Sequence, residues 1–143
     1  MIVTFCGHRQ VEDRAQVKKW LQEEVGELLE QGAQTFYLGG YGAFDEMAAA
    51  VLREYKRQGV PLTMWLVLAY PDGKKDAAGY DGTVYPPLET VPRRYAITRR
   101  NRWMAEMADV VVGYVLHGWG GAAAMLQYAR RQKKKIFLCP ACG

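Results

Sequence analysis

The chain has 143 residues, half of them hydrophobic and 24% charged, a composition that fits one globular domain and excludes a chain disordered throughout. A domain of this length hides roughly 68% of the surface its unfolded chain would expose, so a core forms without disulfide or metal staples. The net charge of +4, from 19 Lys and Arg against 15 Asp and Glu, suits an anionic ligand without requiring one.

Ile2-Val3-Thr4-Phe5-Cys6 is a short β-rich run closed by Gly7 and predicts the first strand. From about residue 12 to 31 the apolar positions Val17, Trp20, Leu21, Val25, Leu28 and Leu29 recur at helical spacing, and Gly32 stands where a C-cap would stop the pattern. Thr35-Phe36-Tyr37-Leu38 predicts a second strand running into Gly39-Gly40-Tyr41-Gly42. Phe44, Met47, Ala48, Val51, Leu52 and Tyr55 then mark a second helix that ends at Gly59. Pro61 opens the almost unbroken apolar run 62–68, the pattern of a strand covered on both faces, and a central place in the sheet is expected for it. Residues 71–92 break the rhythm with Gly73, Gly79, Gly82, Pro86 and Pro87 among charges; we read them as a long flexible flap, with disorder as the alternative. A helix over about 93–107, a strand over 110–115, the loop Gly118-Trp119-Gly120-Gly121, a helix through Ala129 and a strand over 136–138 complete the chain.

Strands alternating with helices predict one Rossmann-like α/β domain over residues 1–138, a three-layer sandwich with a mainly parallel sheet of about five strands, and a tail at 139–143. No run reaches the ~18 consecutive apolar residues of a membrane span, and Met1 leads straight into a strand-like run in place of a basic and then apolar leader. The expectation is a cytoplasmic protein with no membrane partner. Three cysteines argue for reduced thiols over a disulfide framework. The closing Cys139-Pro140-Ala141-Cys142 is half a zinc site by spacing, and with no second pair in the chain it reads as a frayed tail, so no metal site is expected.

Ligands of such sheets bind beyond the carboxyl ends of the strands, near the point where strand order reverses. Three of these ends carry candidate binding residues. In Gly7-His8-Arg9 the glycine permits close backbone approach, Arg9 can fork onto a phosphate or carboxylate, and His8 could serve as an acid or base, each against the plainer reading of a solvated turn. Gly39-Gly40-Tyr41-Gly42 is rich in free amides and opens a helix whose positive end favours phosphate; Asp45 either holds a ribose hydroxyl or, with Glu46, steadies the helix dipole. Gly118-Trp119-Gly120-Gly121 repeats the strand-to-helix geometry. Before it, Ile97, Asn101, Met104 and Ala108 share one helical face, so Asn101 would place an amide on an apolar stripe and need partners, in the ligand or in a neighbouring loop. The run Arg130-Arg131-Gln132-Lys133-Lys134-Lys135 reads as solvated cations at a helix C-terminus.

Gly7-His8-Arg9, the Gly39 to Asp45 loop, Arg100-Asn101 with Met104 three positions after the asparagine, and the Gly118 to Gly121 loop occur in the order seen in the SLOG superfamily, which the chain resembles over about residues 2–138. That group includes the Smf/DprA DNA-processing proteins and the LOG phosphoribohydrolases. The resemblance implies a nucleotide or nucleotide-derived phosphate ligand, often in a homodimer; no cofactor is expected. LOG enzymes carry an arginine-lysine pair followed by Pro-Gly-Gly-x-Gly-Thr-x-x-Glu. Here the pair is Arg100-Asn101, and the later loop continues through Ala122-Ala123-Ala124-Met125 without a carboxylate. The segment from Gly39 to Glu46 is similar to that loop in letters but precedes Arg100. Nucleoside deoxyribosyltransferases, with a similar sheet, use a glutamate where this chain has Met125. The leading expectation is therefore a binding protein of sensory or regulatory kind. An N-glycosidase or phosphoribohydrolase using Asp45 or Glu46 is the enzymatic alternative. Single-stranded nucleic acid binding, suggested by the Smf/DprA kinship and the arginines around Trp103, is expected to be the weaker one because no aromatic platform is visible in strand positions.

Overall fold

The apolar runs and stripes become the layers of an α/β sandwich. The computed structural model describes residues 1–71 and 77–140. Its order is β1 (Ile2–Gly7), α1 (Arg14–Glu30), β2 (Thr35–Leu38), α2 (Gly42–Arg57), β3 (Thr63–Val67), β4 (Gly82–Val84), α3 (Ala96–Met107), β5 (Val110–Tyr114), α4 (Gly121–Arg131) and β6 (Lys135–Leu138), with a 3-10 turn at Arg93–Tyr95 leading into α3. The strands pair parallel throughout, in the order β4-β3-β2-β1-β5-β6.

Side chains alternate across each strand, so the two faces of the sheet are built from alternate residues. Val3 and Phe5, Phe36 and Leu38, Met64, and Val110, Val112 and Tyr114 pack with Val17, Leu21, Val25 and Leu28 of α1 and Ala48, Val51 and Leu52 of α2. On the other face Cys6, Val67 and Val111 pack with Met104 and Ala105 of α3 and Met125, Leu126 and Ala129 of α4. Because parallel returns are right-handed, β1-α1-β2-α2-β3 winds one way along the sheet, and the chain comes back to the far side of β1 through α3. Strand order therefore reverses between β1 and β5, where Gly7 stands opposite Tyr114.

Local signals close the helices, with the C-terminal glycines where the sequence placed them and an N-cap the sequence reading did not single out. Asp13 Oδ1 accepts from the Gln16 N–H at 3.2 Å to cap α1. At the other end of α1, Gly32 N–H reaches Leu29 O at 3.1 Å and Ala33 N–H reaches Leu28 O at 3.0 Å, a Schellman closure repeated after α2 by Gly59 and Val60.

The six strands agree closely with the five expected, and the added one, β4, lies inside the segment read as a long flexible flap: Trp65, Leu66 and Val67 of β3 pair with Gly82, Thr83 and Val84. Asp81 drives that pairing, its carboxylate accepting from the Met64 N–H at 2.7 Å and bonding Lys56 Nζ at 2.7 Å. Residues 72–76 of that segment lie outside the described residues. Consequently β3 is interior but sits next to the edge, and β1 and β2 hold the centre. The tail does not fray at its start, since Cys139 is buried and its N–H donates to Gly113 O at 2.8 Å; Cys142 lies outside the described residues.

Candidate functional site

At the carboxyl edge of the sheet the predicted residues form two adjoining clusters, joined by Gly7-His8-Arg9 at the end of β1.

The first cluster is built on Arg100. The stripe that α3 turns to the core is Ala96, Arg100, Met104 and Ala105, so the buried polar group is the Arg100 guanidinium, and Ile97 is left exposed. Asn101 is half-buried beside it and accepts from Arg100 Nε at 2.9 Å through Oδ1, which is the partner its amide needed. The sequence stripe missed by one residue because arginine is assigned to solvent by default, although its planar fork suits buried carbonyls. Arg100 Nη1 donates to Gly39 O at 3.2 Å and to Val67 O at 2.9 Å, tying the loop after β2 to the end of β3. Burial pulls the Arg100 guanidinium below the ordinary arginine value, and the nearby Asp45, Tyr41 and Tyr70 act in the opposite direction.

The glycines of this cluster are explained by packing. A Cβ on Gly7 would lie within 2.6 Å of Phe44 Cβ, one on Gly39 3.0 Å from Arg100 Cζ, and one on Gly42 2.7 Å from Arg9 Cα. Gly42 also has φ +87°, a conformation that disfavours any side chain. The amides expected to cradle phosphate here already have partners: Tyr41 N–H donates to Asp45 Oδ2 at 3.2 Å and Ala43 N–H to Arg9 O at 2.8 Å. Asp45 is thus buried as a cap of its own helix, while Glu46 stands exposed on α2. Arg9 leaves its side chain exposed above Gly42.

The second cluster lies across the switch point. His8 is clamped between β1 and the loop after β5: its N–H donates to Tyr114 O at 3.3 Å, and its Nε2 accepts from the Leu116 N–H at 2.8 Å. Acceptance at Nε2 requires the neutral ring with its proton on Nδ1. Burial, then the neighbouring His117, lowers the His8 pKa and favours that form. The rings of His8 and His117 stack at 4.0 Å with an angle of 16°, and those of His117 and Trp119 at 3.8 Å with an angle of 14°. Trp119 is 72% exposed. His117 and Leu116 were not singled out in the sequence, and the only hint was their place between a strand end and a glycine loop.

The loop Gly118 to Gly121 is open where the first is filled. A Cβ on Gly118 or Gly121 would meet nothing within 4 Å. Gly120, at φ +91°, is the N-cap of α4, with no side-chain cap and no acidic residue in the first turn. Among the described residues two polar atoms, Tyr114 Oη on the α1/α2 face of the sheet and His117 Nδ1 in the ring stack, are buried without a hydrogen-bond partner, an uncommon state that calls for an explanation. Beneath α4, Cys6 donates its thiol to Ala122 O at 3.0 Å; burial, helped by the Asp45 charge, pushes its pKa up to about 12, so it is no nucleophile. Met125 is buried in the core under α4.

Among the described residues no group of three or more His, Cys, Asp or Glu side chains could hold a metal ion, and no helix is long and apolar enough to cross a membrane. An open groove of about 410 Å³ is lined by Pro87, Pro92, Tyr95, Thr98, Arg99 and Arg102 at the start of α3.

No protein-family model matches the chain, and no curated protein matches it in sequence. Solved structures do. The chain is similar to DNA processing protein A (DprA) from Streptococcus pneumoniae, with a TM-score of 0.69 and 19% identity over 97% of this chain and 50% of that one. It is equally similar to DprA from Helicobacter pylori, a protein with a single-stranded DNA binding mode, at a TM-score of 0.69 and 18% identity over 98% and 65%. The molybdenum cofactor carrier protein from Chlamydomonas reinhardtii follows at a TM-score of 0.65 and 17% identity over 96% and 75%. The chain thus spans half the length of the first of these and about two thirds of the second. At these identities the likeness establishes the Rossmann-like fold.

Proposed function

We propose that the chain binds a nucleotide or nucleotide-derived phosphate ligand at the switch point, with the phosphate seated on the amides at the start of α4. The observation that carries this reading is the contrast between the two glycine loops. The N-terminus of α2 is occupied by Asp45 and the Arg9 carbonyl, whereas among the described residues that of α4 has no side-chain cap and opens beside Gly118 and Gly121, where a Cβ would meet nothing within 4 Å. A helix N-terminus with free N–H groups attracts an anion through both hydrogen bonds and the helix dipole. Arg9, directly after β1, adds an exposed cation at the carboxyl edge of the sheet. The resemblance to SLOG proteins, and the DNA- and cofactor-binding relatives of the same fold, agree with a ligand of this class.

Gly121→Asp tests it. The position is open and lies in the first helical turn, where a carboxylate strengthens the helix while competing with an anion. The variant is expected to fold at least as stably as the parent and to lose AMP and inorganic phosphate affinity by about tenfold or more, measured by calorimetric titration. Unchanged affinity would place the phosphate elsewhere.

Single-stranded nucleic acid is a second reading, favoured by the groove in which Arg99 and Arg102 flank a 51% exposed Tyr95. Arginines beside an exposed ring are the elements of a single-strand surface. It requires oligonucleotide affinity that falls steeply with salt and falls again in Arg99→Ala. The enzymatic alternative has no comparable support, because Asp45 is engaged as a cap and Met125 is buried.

A further inference from the structure

The loop between β5 and α4 carries an unusual exposure: Trp119, the largest side-chain type, is 72% open to solvent while one face of its ring lies stacked on His117. The holding is done from beneath. His117 and Trp119 stand two residues apart on either side of Gly118, which carries no side chain, so their rings stack on each other at 3.8 Å. His117 in turn rests on His8 at 4.0 Å, and His8 is fixed to the loop by the Leu116 N–H at 2.8 Å. The result is a three-ring column, rooted at the end of β1 across the switch point and ending in a bare indole face beside the open start of α4. One face of Trp119 is covered by His117, and among the described residues no other ring covers the second.

We propose that this indole face is the platform on which the planar heterocycle of the ligand stacks, so that the ligand is a base-bearing nucleotide and not a sugar phosphate or a free phosphate. The inference rests on the phosphate reading above and extends it, since the column stands next to the proposed phosphate amides. A flat ring laid on Trp119 continues the His8–His117–Trp119 stack by one member. Such stacking is tolerant of base identity because every base has a π-face, so the platform selects the class and not the individual base. The column also pre-orders the indole, which removes the cost of fixing a mobile side chain on binding.

The experiment compares AMP, adenosine and ribose 5-phosphate, following the Trp119 indole N–H by 15N NMR alongside affinity. The chain has four tryptophans, and the indole signal missing from Trp119→Phe assigns the one of interest. AMP is expected to bind about tenfold or more tighter than ribose 5-phosphate and to shift the Trp119 indole strongly. Trp119→Ala, an exposed change that leaves the core intact, is expected to lower AMP affinity to that of ribose 5-phosphate without altering the latter, and Trp119→Phe to retain most of the advantage. If ribose 5-phosphate binds as well as AMP, or Trp119→Ala leaves the AMP advantage intact, stacking is overturned and the phosphate reading stands. If adenosine shifts the Trp119 indole while ribose 5-phosphate does not bind, the phosphate reading fails and stacking stands. If no probe binds, both are wrong.

Discussion

Replacing Arg100 by methionine keeps the length and apolar stem of the side chain and removes its charge and its donors. In the folded protein Arg100 is 3% exposed and its Nη1 serves two carbonyls, Gly39 O at 3.2 Å and Val67 O at 2.9 Å. Methionine leaves both buried oxygens without that donor, at a cost of about 1–3 kcal/mol each. The loss is partly offset because a guanidinium no longer has to be held out of water. The net destabilisation expected is about 2–3 kcal/mol, roughly 10 °C in Tm for a domain of this size. Urea unfolding followed by circular dichroism measures it, and amide hydrogen exchange locates it: the amides of 39–41 should exchange faster than those of α1. Arg100→Lys should fall between the two, because a single ammonium cannot hold both oxygens in the arginine's fork geometry. If Arg100→Met unfolds within about 0.5 kcal/mol of the parent, the tie between β2 and β3 is not what the arginine is for.

The glycines divide into two groups that stability measurements should separate. Gly7→Ala drives a Cβ to within 2.6 Å of Phe44 Cβ and is expected to cost about 3 kcal/mol. Gly118→Ala, in open space, is expected to change stability by less than about 0.5 kcal/mol; equal effects in denaturant melts would contradict the division. His8 sets a pH dependence. Its folded-state pKa lies below the unfolded one, through burial and then His117, so its contribution is fully present above the unfolded value of about 6.5 and is lost as pH falls below it. The stability difference between parent and His8→Gln should therefore shrink on acidification from about pH 8 to pH 5, and a constant difference would show that the neutral His8 ring accepting from Leu116 contributes nothing to stability.

The arrangement of layers was legible because it depends on local periodicity. Apolar runs at 2–6, 35–38 and 110–115 and stripes at helical spacing between them account for β1, β2, β5, α1, α2 and α4. What failed were contacts across long sequence separations. Residues 82–84 become a strand because Asp81 reaches Met64 and Lys56, and nothing in Gly82-Thr83-Val84 announces that. The identity of the buried polar residue on α3 was shifted from Arg100 to Asn101, because a hydropathy pattern counts arginine as exposed and cannot see two carbonyls waiting at the ends of neighbouring strands.

The two glycine loops mark the boundary between what the chain determines by itself and what folding decides. Their composition, and their places between a strand and a helix, follow from the sequence alone, as does the expectation that a ligand would lie at that edge of the sheet. Which loop keeps its amides free was decided in three dimensions. At α2 the end of β1 lays the Arg9 carbonyl on Ala43 and Asp45 turns back onto Tyr41, while at the start of α4 there is no side-chain cap and, among the described residues, Gly118 and Gly121 face open space. Sequence specifies that a backbone donor exists; only the packing of distant segments determines whether another part of the chain has already taken it.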